Sequence, residues 1–151
     1  MSQPPITGIS SMATRALLAE LVAAHGQPVA MESVGGVDAA KRVAAGEAFD
    51  VVVLASDAID KLIAAGRVLA GSKVDLVHSG VAVAVKAGAA HPDIASENAV
   101  KRAVLNASTL GYSTGPSGVQ LAKLFERWGI AQEIAPRIVQ APGTDVLRHQ
   151  G

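Results

Sequence analysis

The sequence predicts an α/β fold in which helices cover a parallel sheet. Strand-like and helix-like segments alternate along the first 65 residues, which is the pattern of consecutive β-α units. The segment at 50–55 contains four consecutive apolar residues without polar alternation, as in strands buried on both faces. The sequence is 50% hydrophobic, and much of this comes from 29 Ala and 19 Val. Such small residues suit close packing of helices on a sheet.

Six segments in the first part of the chain form a β-α-β-α-β-α series. A short apolar strand at 6–9 ends in two serines, and a helix at 12–25 carries leucines at helical spacing and stops at Gly26. The same reasoning predicts two further pairs. A strand at 28–31 precedes a helix at 38–45, and a strand at 50–55 precedes a helix at 57–65.

The middle of the chain is one long strand-like run, residues 74–86, which is broken by His78-Ser79-Gly80. Its 13 residues are long for a strand in a domain of this size, and the glycine-containing break indicates a crossing between two lobes. The remaining predicted elements are a helix at 92–107 capped by Asp93 or Ser96, a strand at 109–112, a loop at 113–118, a helix at 119–128 and an ambiguous stretch at 130–140.

Charge and residue content exclude several classes of function. Thirteen basic and 13 acidic side chains cancel, and aromatic residues make up 3% of the sequence, so a nucleic acid is a poor candidate partner. The absence of cysteine excludes disulfides, zinc knuckles and cysteine nucleophiles. The longest uncharged apolar-rich stretch, 79–85, is far shorter than the roughly 20 residues of a membrane span. The first residues lack the basic and apolar regions of a secretory signal.

Four predicted strands run into small polar loops that precede helices. In a parallel sheet these loops meet at the edge outside the carboxyl ends of the strands, where open α/β sheets bind ligands. The start of each helix has free backbone N–H groups, and the serine and threonine hydroxyls add further donors. Glycine lets the backbone come close to a ligand. These features favour the binding of an anion. The alternative for any single loop is an ordinary helix cap. The loops are Ser10-Ser11, Ser33-Val34-Gly35-Gly36, Ala55-Ser56-Asp57 and Ser113-Thr114-Gly115-Pro116-Ser117-Gly118.

The residues of these segments and their order along the chain resemble one branch of the type II periplasmic solute-binding proteins, the molybdate-binding-protein-like branch. The resemblance runs from about residue 6 to 143. It rests on four passages: the first Ser-Ser loop, Asp50-Val51-Val52-Val53-Leu54-Ala55-Ser56-Asp57, Ser79-Gly80-Val81-Ala82-Val83-Ala84-Val85-Lys86-Ala87-Gly88, and Gly111-Tyr112-Ser113-Thr114-Gly115-Pro116-Ser117-Gly118-Val119 with its continuation to Ile130.

The resemblance implies two α/β lobes with parallel-rich sheets and helices on both faces, closing on a ligand in the cleft between them. Lobe one would be residues 1–78 and lobe two 79–151, joined by a crossing strand around 74–86. The family continues past the point that matches Gly151, so the second lobe is expected to be incomplete. The ligand-binding positions that the resemblance and the loops imply, together with the crossing histidine, are Ser10, Ser11, Gly35, Gly36, Ala55, Ser56, His78, Ser113, Thr114 and Ser117.

The implied function is capture of a small oxyanion or carboxylate for uptake by an ABC permease, with no cofactor, metal or nucleic acid. Molybdate binders of the branch carry a serine run where this chain has Gly35-Gly36-Val37, so a small organic acid is an equally open ligand. The resemblance implies a periplasmic location, and the lack of a signal in this chain leaves a cytoplasmic one open.

Three alternatives stay open at this stage. Gly111-Tyr112-Ser113-Thr114-Gly115 matches a hydrolase nucleophile elbow, with Asp145 and His149 in the right order, although Pro116 and Gly118 indicate a longer loop. His78 would serve as the base of an isomerase of unsaturated tricarboxylic acids, an activity that the resemblance also suggests, or it is a hydrogen-bonded residue of the crossing. The third alternative is a truncated, oligomeric remnant without a ligand, for which a homodimer would cover exposed apolar surface.

Overall fold

The computed structural model describes residues 3–141, which form two compact units that divide between His78 and Ser79. Unit 1 precedes this division and unit 2 follows it. Each unit has its own parallel sheet and its own apolar core. The predicted α/β class with parallel sheets is therefore confirmed, while the closing arrangement of two lobes stays a prediction.

Unit 1 realises the predicted β-α-β-α-β-α series. Its strands run in the spatial order β2-β1-β3, and β1 pairs in parallel with both neighbours. A short 3-10 turn, Met12–Thr14, separates β1 from the first helix. The elements of unit 1 are β1 (Ile6–Ser11), α1 (Arg15–His25), β2 (Val29–Val34), α2 (Gly36–Ala44), β3 (Val51–Val53) and α3 (Ser56–Ala64).

Both faces of this sheet carry helices. On one face Ile9 of β1 packs with Ala39 and Val43 of α2 and Leu62 of α3, and these four side chains form the core. On the other face α1 lies beside alternate side chains of β2 and β3. The alternation of side chains along a strand explains the division, because Val52 reaches the core whereas Val51 and Val53 lie on the α1 side.

Unit 2 has a smaller sheet than unit 1, with two described strands instead of three. Phe125, Ile130 and Ile134 are buried together, and Leu121 and Trp128 pack against them, so the predicted apolar face of the 119–128 helix is core. Its two strands pair in parallel, with Leu110 opposite Ile138. The elements of unit 2 are α4 (Glu97–Asn106), β4 (Leu110–Ser113), α5 (Pro116–Arg127), α6 (Ala131–Ile134), a 3-10 turn (Ala135–Arg137) and β5 (Ile138–Ala141).

The prediction of a strand at 74–86 is wrong for this structure, because these residues carry no regular secondary structure. A high content of valine favours an extended backbone, but a strand also needs a neighbouring strand to accept and donate backbone hydrogen bonds. No strand of the described residues pairs with this segment. None of the described helices combines the length and apolar character needed to cross a bilayer.

Candidate functional site

The carboxyl ends of the unit 1 strands place three of the predicted loops at one edge. The register puts Ser10 of β1 beside Ser33 of β2 and Val53 of β3, so the loops after these strands start at one level. Because the chain order reverses on either side of β1, helices leave this edge toward opposite faces. Such a reversal opens the crevice in which open α/β sheets bind ligands.

Ser10 lies inside the fold at this edge. Its side chain is fully buried, and its Oγ lies 2.7 Å from the Oγ of Ser33 and 3.2 Å from the carbonyl oxygen of Ser11, to which it donates. The hydroxyl therefore joins the ends of β1 and β2. A buried hydroxyl that already has two protein partners contributes to the shape of the edge rather than offering a free donor.

Ser11 is the more accessible of the two serines. It is half-buried, and its extended backbone leads into the 3-10 turn without a capping bond from its own side chain. Its carbonyl oxygen accepts a hydrogen bond from the Oγ1 of Thr14 at 3.3 Å. Within the described residues the Ser11 hydroxyl has no protein partner, so it can donate to a bound group.

Gly35 and Gly36 form the second loop and start α2. No side chain caps this helix, and the carbonyl of Gly35 accepts from the N–H of Ala39 at 2.9 Å. A Cβ on Gly35 would lie 3.3 Å from an Oδ atom of Asp38. The Asp38 carboxylate thus lies over the loop and offsets part of the positive charge at the start of the helix.

Ala55 and Ser56 form the third loop and start α3. The carbonyl of Ala55 accepts from the N–H groups of Ala58 and Ile59 at 3.0 and 3.1 Å, and no side chain caps the helix. Ser56 is exposed at the first helical position, followed by Asp57 in the first turn. This loop offers a hydroxyl and backbone N–H groups, again beside a carboxylate.

The fourth loop lies in unit 2, between β4 and α5. Ser113 is half-buried, Thr114 and Ser117 are exposed, and the Oγ atoms of Ser113 and Ser117 are 3.2 Å apart. Pro116 stands in the first turn of α5, which has no capping side chain and no acidic residue. The loop therefore offers three hydroxyls at a helix start whose partial positive charge no carboxylate of the first turn offsets.

Gly118 fixes the shape of this loop, although the sequence marked it only as a sign of a longer loop. It is buried, and a Cβ at this position would overlap the carbonyl oxygen of Ser113. The first turn of α5 can approach the end of β4 so closely because residue 118 has no side chain. A second glycine three residues after Gly115, at the start of an apolar helix, is the signal that could have identified it.

The other candidate catalytic residues of the two enzyme alternatives are His78, Asp145 and His149. His78 is exposed within the segment that carries no regular secondary structure. The hydrolase alternative needed Asp145 and His149, which lie outside the described residues. Between residues 3 and 141 no cluster of three or more His, Cys, Asp or Glu side chains could hold a metal ion.

The carboxyl groups with altered acidity are bonded to residues outside the four loops. Hydrogen bonds from Arg42 lower the pKa of Glu32 and of Glu47, and hydrogen bonds from the backbone and side chain of Thr7 lower the pKa of Asp50. The indole N–H of Trp128, 2.6 Å from an Oε atom of Glu97, lowers the pKa of that carboxyl. These ion pairs and hydrogen bonds stabilise the two units and do not mark a reactive site.

Comparison with known proteins supplies the family. The family of bacterial extracellular solute-binding proteins matches residues 6–149. A curated protein of a Pseudomonas species, named aconitate isomerase, is 38% identical over 106 residues, which are 70% of this chain and 40% of that protein. This chain thus spans well under half of the relative's length. No solved structure matches. The match over nearly the whole sequence shows that this chain belongs to the bacterial extracellular solute-binding protein family.

Proposed function

We propose that this protein captures a small oxyanion or carboxylate at the serine- and glycine-bearing loops that follow its parallel strands. The observation that carries the proposal is the convergence of three such loops at one sheet edge of a chain that belongs to a solute-binding family. Backbone N–H groups and hydroxyls would replace the water around the anion. No lysine or arginine stands in the four loops, so neutral donors would do this work.

The proposal includes delivery of the ligand to an ABC permease from a periplasmic location. The description of the family as extracellular supports the location. Molybdate and organic acids remain the two ligand classes. The second loop offers glycine backbone in place of a serine run, and the nearby Ser33 hydroxyl is engaged by Ser10, so the loop does not favour molybdate over an organic acid. A ligand with several carboxylates would need more donors than a tetrahedral oxyanion.

The second candidate function is isomerisation of an unsaturated tricarboxylic acid such as aconitate. The named relative favours it, at 38% identity over 106 residues. The reaction moves a proton at a carbon next to a carboxyl group, so it needs a base and donors that hold the carboxylates. On this chain His78 would be the base and the serine loops would be the donors.

A thermal-shift panel tests the first proposal against the second. The purified chain would be screened with molybdate, tungstate, sulfate, phosphate, citrate and cis- and trans-aconitate. A ligand that binds only the folded state adds about 2.7 kcal/mol of stability at a hundredfold excess over its dissociation constant, which raises the melting temperature by several degrees. A shift with a tetrahedral oxyanion alone supports capture for transport.

A shift with the tricarboxylates leads to an activity assay. Conversion of cis- to trans-aconitate that is lost in His78→Ala, with binding retained, would support the isomerase. Binding without conversion would contradict it. A chain that melts cooperatively and responds to none of the seven anions would contradict both proposals and favour the remnant without a ligand.

A further inference from the structure

Arg15 stands directly behind the first loop of the candidate site. It is the first residue of α1, it follows Ser11 through the short 3-10 turn, and it is exposed. A cation at the start of a helix is unfavourable, because the helix dipole already places partial positive charge there. No acidic residue in the first turn of α1 offsets either charge. The stability of α1 therefore does not explain an arginine at this position.

The other positive side chains of unit 1 occupy different places on their helices. Residues 3–78 contain six Lys and Arg side chains, and Arg15 is the one that stands in the first turn of a helix. The other five lie in the last turns of α2 and α3 or follow α3: Lys41, Arg42, Lys61, Arg67 and Lys73. Because the first turns of the helices follow the carboxyl ends of the strands, Arg15 is the cation that the chain places beside the loops.

Helical spacing places Arg15 on the side of α1 that faces the sheet. Leu18 and Val22 line the groove between α1 and the sheet, together with Met31 and Val53. Arg15 precedes Leu18 by three residues and Val22 by seven, so it lies on the same side of the helix. Side chains on a helix lean toward its first turn. The Arg15 side chain therefore leans from α1 toward the carboxyl ends of the strands.

No carboxylate of the described residues neutralises Arg15. Five ion pairs form between residues 3 and 141, and none of them includes this guanidinium. Arg42, by contrast, is paired with two glutamates. The hydroxyl of Thr14 donates to the carbonyl oxygen of Ser11 and does not cap α1. A guanidinium without an ion-pair partner and the unpartnered hydroxyl of Ser11 thus stand at one end of the sheet, and both are hydrogen-bond donors.

The carboxylates of this edge belong to the other face of the sheet. α2 and α3 pack on the face opposite α1, and Asp38 and Asp57 stand in their first turns. The edge therefore carries positive charge on the α1 side and negative charge on the side of α2 and α3. An anionic group is attracted to the first side and repelled from the second.

We propose that Arg15 is a ligand-binding residue, whose guanidinium binds two oxygens of the bound oxyanion or carboxylate beside the Ser11 hydroxyl. The planar fork of an arginine matches two oxygens of one anionic group. Arg15 adds one charged donor to the neutral donors of the four loops, and it places the anionic group of the ligand on the α1 side. This inference rests on the proposed function and names the charged contact of the same site.

Isothermal titration with molybdate and with trans-aconitate at low ionic strength tests the proposal. The anion that binds the wild-type chain is expected to bind Arg15→Gln at least tenfold more weakly, because a charge-assisted pair of hydrogen bonds is lost. Arg15→Lys keeps the charge without the fork and should lose less affinity. Asp38→Asn removes the opposing charge and should bind the anion more tightly. Weaker binding by Asp38→Asn would contradict the polarity assigned to the edge.

The melting temperature of the ligand-free chain separates a ligand contact from a structural role. Arg15→Gln removes a cation that opposes the helix dipole, so this variant is expected to melt at or above the wild-type temperature. The matched control is Arg67→Gln, which makes the same change at an exposed residue after α3 and should leave the affinity unchanged. A lower melting temperature of Arg15→Gln, together with weaker binding, would assign Arg15 a structural role and overturn the proposal.

Two further outcomes distinguish this inference from the proposed function. Wild-type affinity in Arg15→Gln, with loss of binding in the double variant Ser11→Ala, Ser113→Ala, would overturn the role of Arg15 and leave the loops as the site. Absence of binding of both anions to the wild-type chain would overturn the proposed function and this inference together.

Discussion

The loop edge of unit 1 and the single loop of unit 2 use the same residue types in different ways. At the unit 1 edge Ser10 is fully buried and bonded to Ser33, and carboxylates stand in the first turns of α2 and α3. In the unit 2 loop, Ser113 and Ser117 bond to each other near the surface, and the first turn of α5 has no acidic residue. The same motif thus builds the sheet edge in unit 1 and leaves donors available in unit 2.

A serine before a helix is therefore not by itself a ligand contact. Its role depends on whether the neighbouring strand supplies a partner in register. In unit 1, β2 supplies Ser33 beside Ser10. In unit 2, Ser113 at the end of β4 pairs instead with Ser117, in the first turn of α5.

The largest effect is expected from Gly118→Ala in unit 2. Its Cβ would overlap the carbonyl oxygen of Ser113, and the backbone must move to relieve the overlap. Overpacking of this kind costs about 3 kcal/mol. Urea unfolding followed by the fluorescence of Trp128, the single tryptophan of the chain, reports on this unit.

Gly115→Ala is the control for that measurement. Its Cβ would meet the Ser113 hydroxyl at 3.6 Å, an ordinary contact, and its φ of −75° suits any residue. It should change stability by less than about 0.5 kcal/mol. Equal midpoints and slopes for the two variants would show that Gly118 does not fix the loop.

A smaller effect separates the two serines directly. Ser10→Ala removes a buried partner of Ser33 and is expected to cost about 1 kcal/mol, whereas Ser113→Ala removes a bond near the surface and should cost less than half of that. Amide hydrogen exchange at Ile9 and Val52 follows unit 1, and Trp128 fluorescence follows unit 2. A larger loss from Ser113→Ala would reverse the roles that we assign to the two positions.

The smallest expected effect is the loss of folding stability at low pH, and this loss also differs between the two units. Glu32, Glu47 and Asp50 of unit 1 have a lowered pKa, and so does Glu97 of unit 2. A carboxyl with a lowered folded pKa stabilises the fold above its ordinary pKa, and this contribution is lost as the pH falls through the folded value. The loss begins below the ordinary values of 4.5 for Glu and 3.8 for Asp.

Unit 1 should therefore lose more stability than unit 2 between about pH 5 and pH 2. The effect is small because these groups are exposed to solvent. Carboxyl chemical shifts titrated by NMR give the four pKa values, and amide exchange at the two cores gives the stability. Larger acid destabilisation of the Phe125 core than of the Ile9 core would contradict the expected order.

The sequence predicted the elements of unit 1 within a few residues because their pattern is local. Val51-Val52-Val53 and the glycines that end the helices need no knowledge of distant contacts. The start of α4 was predicted five residues too early, at 92 rather than at Glu97. Asp93 instead caps a turn by accepting from the N–H of Ala95 at 3.0 Å, while Ser96 caps the helix through the N–H of Ala99.

Features that depend on pairing could not be predicted in this way. The strand at 74–86 was expected from its valines, but strand formation requires a partner that composition does not reveal. The burial of Ser10 follows from its register with Ser33, and register is a property of two distant segments. The sequence therefore located the loops of the candidate site but did not separate the free hydroxyl of Ser11 from the engaged hydroxyl of Ser10.

The central claim is that hydroxyls of these loops bind a small anion. It is tested most directly by isothermal titration of the wild-type chain and the double variant Ser11→Ala, Ser113→Ala with molybdate and with trans-aconitate. We expect one of the two anions to bind the wild type and the double variant to bind it at least tenfold more weakly, since it loses the unpartnered hydroxyl of Ser11 and the hydroxyl that Ser113 shares with Ser117. An unchanged affinity in a double variant that melts at the wild-type temperature would contradict the assignment of these loops as the binding site.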